Sequence, residues 1–127
     1  MTYKVLMVDD SKLARMSLAK LLGKLRPDWG RLEAAGAEEA MQVFAAQKPD
    51  VVILDFNMPG RDGLEIATEL QALHPNIPVA VISANIQVEV VARATAAGAA
   101  FLPKPLTEQA LAEFLDLAGP RLAALGT

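Results

Sequence analysis

Apolar and polar positions along the chain fall into two kinds of run. Val5-Leu6-Met7-Val8, Val51-Val52-Ile53-Leu54 and Val79-Ala80-Val81-Ile82 are unbroken apolar stretches. They lack the alternation of a half-exposed strand and fit a parallel sheet covered on both faces. The predicted strands are Lys4 to Val8, Asp50 to Leu54 and Ile77 to Ile82, with weaker ones at Arg31 to Ala35 and Ala100 to Leu102. Between them the apolar residues take helical spacing. Lys12 to Leu25 sets Ala14, Leu18, Leu21, Leu22 and Leu25 on one stripe, with Ser11 or Asp10 as N-cap. Ala37 to Gln47 would bury Ala40, Val43 and Phe44. Leu64 to Leu73, capped by Asp62, would bury Leu64, Ile66, Ala67 and Leu70. Ile86 to Ala97 is a fourth helix, and a last one, capped by Thr107, would bury Leu111, Phe114, Leu115 and Ala118.

Strand and helix thus alternate five times. Right-handed crossovers turn that order into a three-layer α/β sandwich around a parallel sheet. The loops carry turn residues, notably Asn57-Met58-Pro59-Gly60 and His74-Pro75-Asn76. Gly119-Pro120 predicts a break or kink in the last helix, so 118–127 reads as a helix end or the start of a linker. Residues 1–127 read as one domain.

Composition narrows the class. The 127 residues are 53% hydrophobic with net charge −3, against the basic patch that nucleic-acid binding usually needs. There is no cysteine, which excludes disulfides and thiolate metal sites. No run approaches the ~20 apolar residues of a membrane span, and the first residues lack a secretory signal. The expected location is the cytoplasm, without direct nucleic-acid or membrane contact.

The chemistry lies at the ends of the strands. Asp9-Asp10 follow the first apolar run, Asp55 the second, Ser83 the third, and Lys104 follows Phe101-Leu102-Pro103. In an open parallel sheet, ligands bind outside the carboxyl ends of the strands. Three carboxylates in one crevice repel unless a cation sits among them, and hard oxygen ligands suit Mg²⁺. A lysine and a hydroxyl add donors for a phosphoryl group. The pattern points to metal-assisted phosphoryl transfer to an aspartate. Read singly, Asp10 is also a cap candidate, Ser83 a turn residue and Phe101 a core residue. Asp62 reads as a cap, His74 as an exposed helix end, Trp29 as locally packed, and Glu89 with Arg93 as a surface pair.

Together these residues resemble the receiver domain of bacterial two-component response regulators, in size the single-domain chemotaxis type. The resemblance runs from residue 4 to about 118. It rests on Val8-Asp9-Asp10-Ser11, Leu54-Asp55 through Asp62-Gly63, Ile82-Ser83-Ala84, and Phe101-Leu102-Pro103-Lys104-Pro105. It implies a flavodoxin-like doubly wound sheet with strand order 2-1-3-4-5. It implies that Asp55 accepts a phosphoryl group from the phosphohistidine of a histidine kinase or phosphotransferase. Asp10, Asp55 and the Asn57 backbone carbonyl would then ligate Mg²⁺ directly, and Asp9 would act through water. Lys104 and Ser83 would meet the phosphoryl oxygens, with Ser83 and Phe101 forming a switch. The Lys104-Pro105 bond would be cis. A downstream protein would bind the face made by the fourth helix, fifth strand and fifth helix. The chain would be a signalling protein that assists its own phosphorylation and dephosphorylation, rather than a dedicated enzyme.

The spacing from Ser83 to Lys104 is one residue shorter than is usual for such domains, implying a tighter turn before the last strand. Leu13 and Met16 project away from the buried stripe of the first helix, among Lys12, Lys20 and Lys24. They read either as a solvated face or as a docking patch for the phosphodonor. Ile86, Val88, Val90 and Val91 exceed one buried stripe, so some would face a partner. Asn57 and Asn85 lie where water access to the phosphoryl group would be set. Alternatives remain a receiver cut from a longer regulator with a DNA-binding or enzymatic output, an aspartyl-phosphate phosphohydrolase, and a flavin binder. Asp9-Asp10-Ser11-Lys12 lacks the Asp-x-Asp of the phosphohydrolase, and two aspartates would repel the flavin's phosphate.

Overall fold

The computed structural model describes residues 3–57, 62–84 and 88–125, without the side chains of 88 and 120–125, and the described residues form five strands and five helices. In chain order they are β1 (Lys4–Val8), α1 (Lys12–Leu25), β2 (Gly30–Ala34), α2 (Ala37–Gln47), β3 (Val51–Asp55), α3 (Gly63–Leu73), β4 (Val79–Ser83), α4 (Val88–Ala96), β5 (Ala100–Pro103) and α5 (Glu108–Leu125). The sheet is wholly parallel, in the order β2-β1-β3-β4-β5.

Side-chain alternation along the strands feeds two cores. Leu6, Val8, Val52, Leu54, Val79 and Val81 pack with Ala40 of α2, with Leu64, Ile66, Ala67 and Leu70 of α3, and with Ala94 of α4. Val5, Met7, Val51, Ile53, Ala80, Ile82 and Leu102 pack with Leu18 and Leu22 of α1 and with Leu111, Phe114 and Leu115 of α5. β1, β3 and β4 are buried almost throughout, as their unbroken apolar runs require. Val43 and Phe44 of α2 are half-buried against the first core.

The caps follow the side-chain chemistry. Ser11 caps α1 by accepting from the Ala14 amide at 3.2 Å, and Asp62 caps α3 by accepting from the Glu65 amide at 2.9 Å. Thr107 Oγ1 accepts from the Ala110 amide at 3.1 Å. Before β5, Gly98 takes φ +74 and its amide donates to the Thr95 carbonyl at 3.0 Å. Trp29 packs edge-on to Tyr3 with ring centroids 5.2 Å apart, under the Arg26 guanidinium at 5.7 Å. Gly30 pairs with Lys4 at the start of β1, so this cluster lies at the opposite sheet edge from Asp9.

Element bounds shift by one or two residues in β2, β3, β4, β5 and α3, and two further expectations change. β2 starts at Gly30 and ends at Ala34, one residue early at each end, because it pairs in register with Lys4–Val8. α5 does not break at Gly119-Pro120 but runs on to Leu125. A proline removes one N–H donor, and the hydrogen bonds on either side can carry the helix past it. Arg93 does not find its partner one turn back on its own helix. Its Nη2 meets Asp62 Oδ2 at 3.2 Å, and its guanidinium stands 6.0 Å from the Phe56 ring. Asp62 is half-buried where Glu89 is exposed, and less-screened charges attract more strongly.

Candidate functional site

The register brings the acids and the lysine to one sheet edge. Val8 lies opposite Leu54, Asp55 opposite Ile82, and Ser83 opposite Pro103. Asp9, Asp55, Ser83 and Lys104 therefore leave their strands within a residue or two of the same level. Strand alternation then separates their faces. Asp55 has the parity of Val51 and Ile53, towards α1 and α5, whereas Ser83 and Phe101 have that of Val79 and Val81, towards α3 and α4.

Carboxylate oxygens of Asp9, Asp10 and Asp55 lie within 4.8 Å of one another. Asp10 is exposed, Asp9 half-buried and Asp55 buried. Lys104 Nζ stands 2.7 Å from the buried Asp55 Oδ1 and pairs the carboxylate with a positive charge. Burial pushes the Asp9 carboxyl above its ordinary value; the Ser11 amide lowers it, the Asp55 charge raises it, Lys104 lowers it and Asp10 raises it. Unpaired capacity on a buried carboxylate, among clustered like charges and oxygen-only donors, fits a hard divalent cation.

Ser83 is fully buried, and its carbonyl accepts from the Lys104 amide at 3.0 Å, joining the ends of β4 and β5. Phe56 donates its amide to the Ile82 carbonyl at 2.9 Å, tying the residue after Asp55 to β4. Phe101 is half-buried and packs on the core towards α3 and α4. The Lys104-Pro105 bond is cis. Asn57 is exposed just beyond Asp55. Met58-Pro59-Gly60, Asn85 and Ile86 lie outside the described residues, as does the Val88 side chain. Val90 is buried, and Val91 half-buried. His74 is exposed at the end of α3.

Two features escaped the sequence reading. Arg15 Nη1 donates to the Asp9 carbonyl at 2.6 Å; a cation five residues after the acidic pair was the available signal. A groove of about 600 Å³ runs between α1 and the loop after β5, with Asp9 and Lys104 among its lining and Ala14, Leu18, Leu21 and Leu106 making it apolar. Nothing local in the sequence marks it, because its walls come from opposite ends of the chain.

Comparison with known proteins agrees with this fold. The response regulator receiver domain profile matches residues 5–116, and the chain belongs to that family. It is 41% identical over 118 residues to the positive alginate biosynthesis regulatory protein of Pseudomonas aeruginosa, covering 90% of this chain and 46% of that protein. Its identity to the chemotaxis protein CheY of Thermotoga maritima is 33%, covering 89% of this chain and 94% of CheY. Among solved structures, a receiver domain protein from Clostridium thermocellum superposes with a TM-score of 0.87 at 27% identity, covering 97% of this chain and 98% of that one. The chain spans about half the length of several of the curated relatives it matches, 46% of the alginate regulator and 57% of the Mycobacterium tuberculosis regulator PdtaR. Receiver domains are signalling modules of two-component systems. Among the described residues, no helix is long and apolar enough to cross a membrane.

Proposed function

We propose that this chain is a phosphoacceptor receiver, taking a phosphoryl group onto Asp55 from the phosphohistidine of a histidine kinase or phosphotransferase. The observation that carries the reading is the buried Asp55 carboxylate, its Oδ1 paired with the Lys104 ammonium at 2.7 Å and clustered with two further carboxylates. A carboxylate oxygen in that condition is a nucleophile held desolvated and oriented. It would bond to phosphorus as the phosphorus–nitrogen bond to the donor imidazole breaks, with the electron pair leaving on nitrogen. Mg²⁺, held by Asp10, Asp55 and the Asn57 carbonyl with Asp9 acting through water, would supply charge neutralisation. Lys104 would pair with a phosphoryl oxygen, and the Ser83 hydroxyl would donate to another.

Signalling would use the other face of the sheet. Ser83 and Phe101 share the side of the sheet towards α3 and α4, so movement of the hydroxyl reaches α4 and β5 directly, with α5 beside β5 on the other face. A downstream protein that prefers the altered surface would shift a pre-existing equilibrium. The groove beside α1 supports docking of the phosphodonor there. It leads to Asp9 and Lys104, and Leu13 and Met16 on the same helix are 73% and 56% exposed. The working unit would be one cytoplasmic receiver domain, regulating by contact and without direct nucleic-acid or membrane binding. A second reading, a receiver acting within a longer regulator with a DNA-binding or enzymatic output, is favoured by the partial coverage of relatives such as the alginate regulator.

Incubation with a small acyl phosphate and Mg²⁺ tests the assignment. The wild type should gain a base-labile phosphoryl group, and Asp55→Ala should gain none while keeping its fold. Labelling of Asp55→Ala at the wild-type level would refute the phosphoacceptor.

A further inference from the structure

The turn carrying Asp9 and Asp10 is braced from outside itself. Arg15 sits one turn into α1 with its side chain only 14% exposed. Its Nη1 donates to the Asp9 carbonyl at 2.6 Å, and its Nε donates to Glu33 Oε1 on β2 at 3.0 Å. Asp9 is held at its other polar atoms too. Its amide donates to the Ala34 carbonyl at 3.1 Å, and its Oδ1 accepts from the Ser11 amide at 2.8 Å. The end of β1 is therefore tied to β2 on one side and to α1 on the other. Both Arg15 bonds go to groups outside the Asp9, Asp10 and Asp55 carboxylates, so the guanidinium acts on the main chain.

We propose that Arg15 is a positioning residue: its bridge from Glu33 to the Asp9 carbonyl sets the backbone turn that aims the Asp9 and Asp10 carboxylates at the cation. This rests on reading Asp9, Asp10 and Asp55 as a Mg²⁺ site. A planar guanidinium holds two acceptors at a fixed angle, which a single ammonium does not. Two effects of removing it have opposite signs. Taking a positive charge from the Asp9 main chain, next to the acidic cluster in sequence, would by charge alone tighten the binding of a divalent cation. Loosening groups that orient the ligands weakens metal binding, typically by tenfold or more.

Calorimetric Mg²⁺ titration of the wild type, Arg15→Met and Arg15→Lys separates these effects. Arg15→Met should bind about tenfold more weakly, with Arg15→Lys between it and the wild type. In metal-free buffer the Ser11 amide should exchange its hydrogen faster in Arg15→Met. Equal or tighter binding by Arg15→Met overturns the proposal, and so does weaker binding without faster Ser11 exchange. Should Arg15→Met not fold, Arg15→Lys with wild-type affinity overturns it. A wild type that does not bind Mg²⁺ fails at the metal site itself, and its own titration shows that separately.

Discussion

Gly63→Ala should destabilise the protein, although helix propensity argues the reverse. Gly63 is the first residue of α3, and in a helix interior alanine is favoured over glycine by up to about 1 kcal/mol. A Cβ at Gly63, however, would stand 2.5 Å from the Asp55 carbonyl oxygen and 3.1 Å from both the Asp55 carbonyl carbon and the Phe56 Cα. All three are backbone atoms at the end of a central strand. The Gly63 amide also donates to the Phe56 carbonyl at 2.9 Å, which holds the two segments together. Reaching an ordinary contact near 3.5 Å requires a shift of about 1 Å. No rotamer can provide it, so β3 or α3 must move. Overpacking of this kind costs about 1–3 kcal/mol, and a backbone clash belongs at the upper end. For a domain of this size that is a fall of about 10 °C in Tm. The displaced atoms belong to Asp55, so the rate of acyl phosphate formation should fall as well. Calorimetry and base-labile phosphate measure the two effects. Gly36→Ser is the control: an added Cβ there meets nothing within 4 Å and the backbone is extended, so a hydroxyl can cap α2 and Tm should hold or rise. A Tm for Gly63→Ala at or above the wild-type value would refute the close-approach argument.

Other substitutions probe the site and its surroundings. Asp10→Asn removes a hard ligand and a repulsive charge together, so Mg²⁺ binding should be lost while metal-free stability is equal or greater; wild-type affinity by calorimetry would remove Asp10 from the metal site. Asp62→Ala forfeits the α3 cap and the Arg93 partner and should lower stability by about 1 kcal/mol in denaturant titration. Leu13→Asp should slow transfer from a phosphohistidine donor without slowing phosphorylation by a small acyl phosphate. An equal loss with both donors would place Leu13 in the folding of the site and not in docking.

The local reading succeeded where physics is local. Unbroken apolar runs named β1, β3 and β4 because a strand covered on both faces has no polar side to show. Ser11, Asp62 and Thr107 were legible as caps because a side-chain oxygen meets an amide three residues on. Acids at strand ends were legible as a cluster, since parallel strands all deliver their carboxyl ends to one edge. Strand order was not legible in this way: nothing in an apolar run says which strand lies beside it, and the order came from likeness to a family. Tertiary packing alone decided the rest. Arg93 of α4 reaches Asp62 at the start of α3, and Arg15 of α1 reaches the Asp9 carbonyl at the end of β1. Gly63, at the start of α3, lies against the Asp55 backbone, with its amide bonded to the Phe56 carbonyl. The Arg93–Asp62 contact spans 31 residues, beyond any short window along the chain, whereas the Arg15–Asp9 and Gly63–Asp55 approaches join nearer residues through a geometry that residue type alone does not state. The amino-acid sequence by itself determined which groups would gather at the sheet edge; the tertiary structure decided how closely they approach and what holds them there.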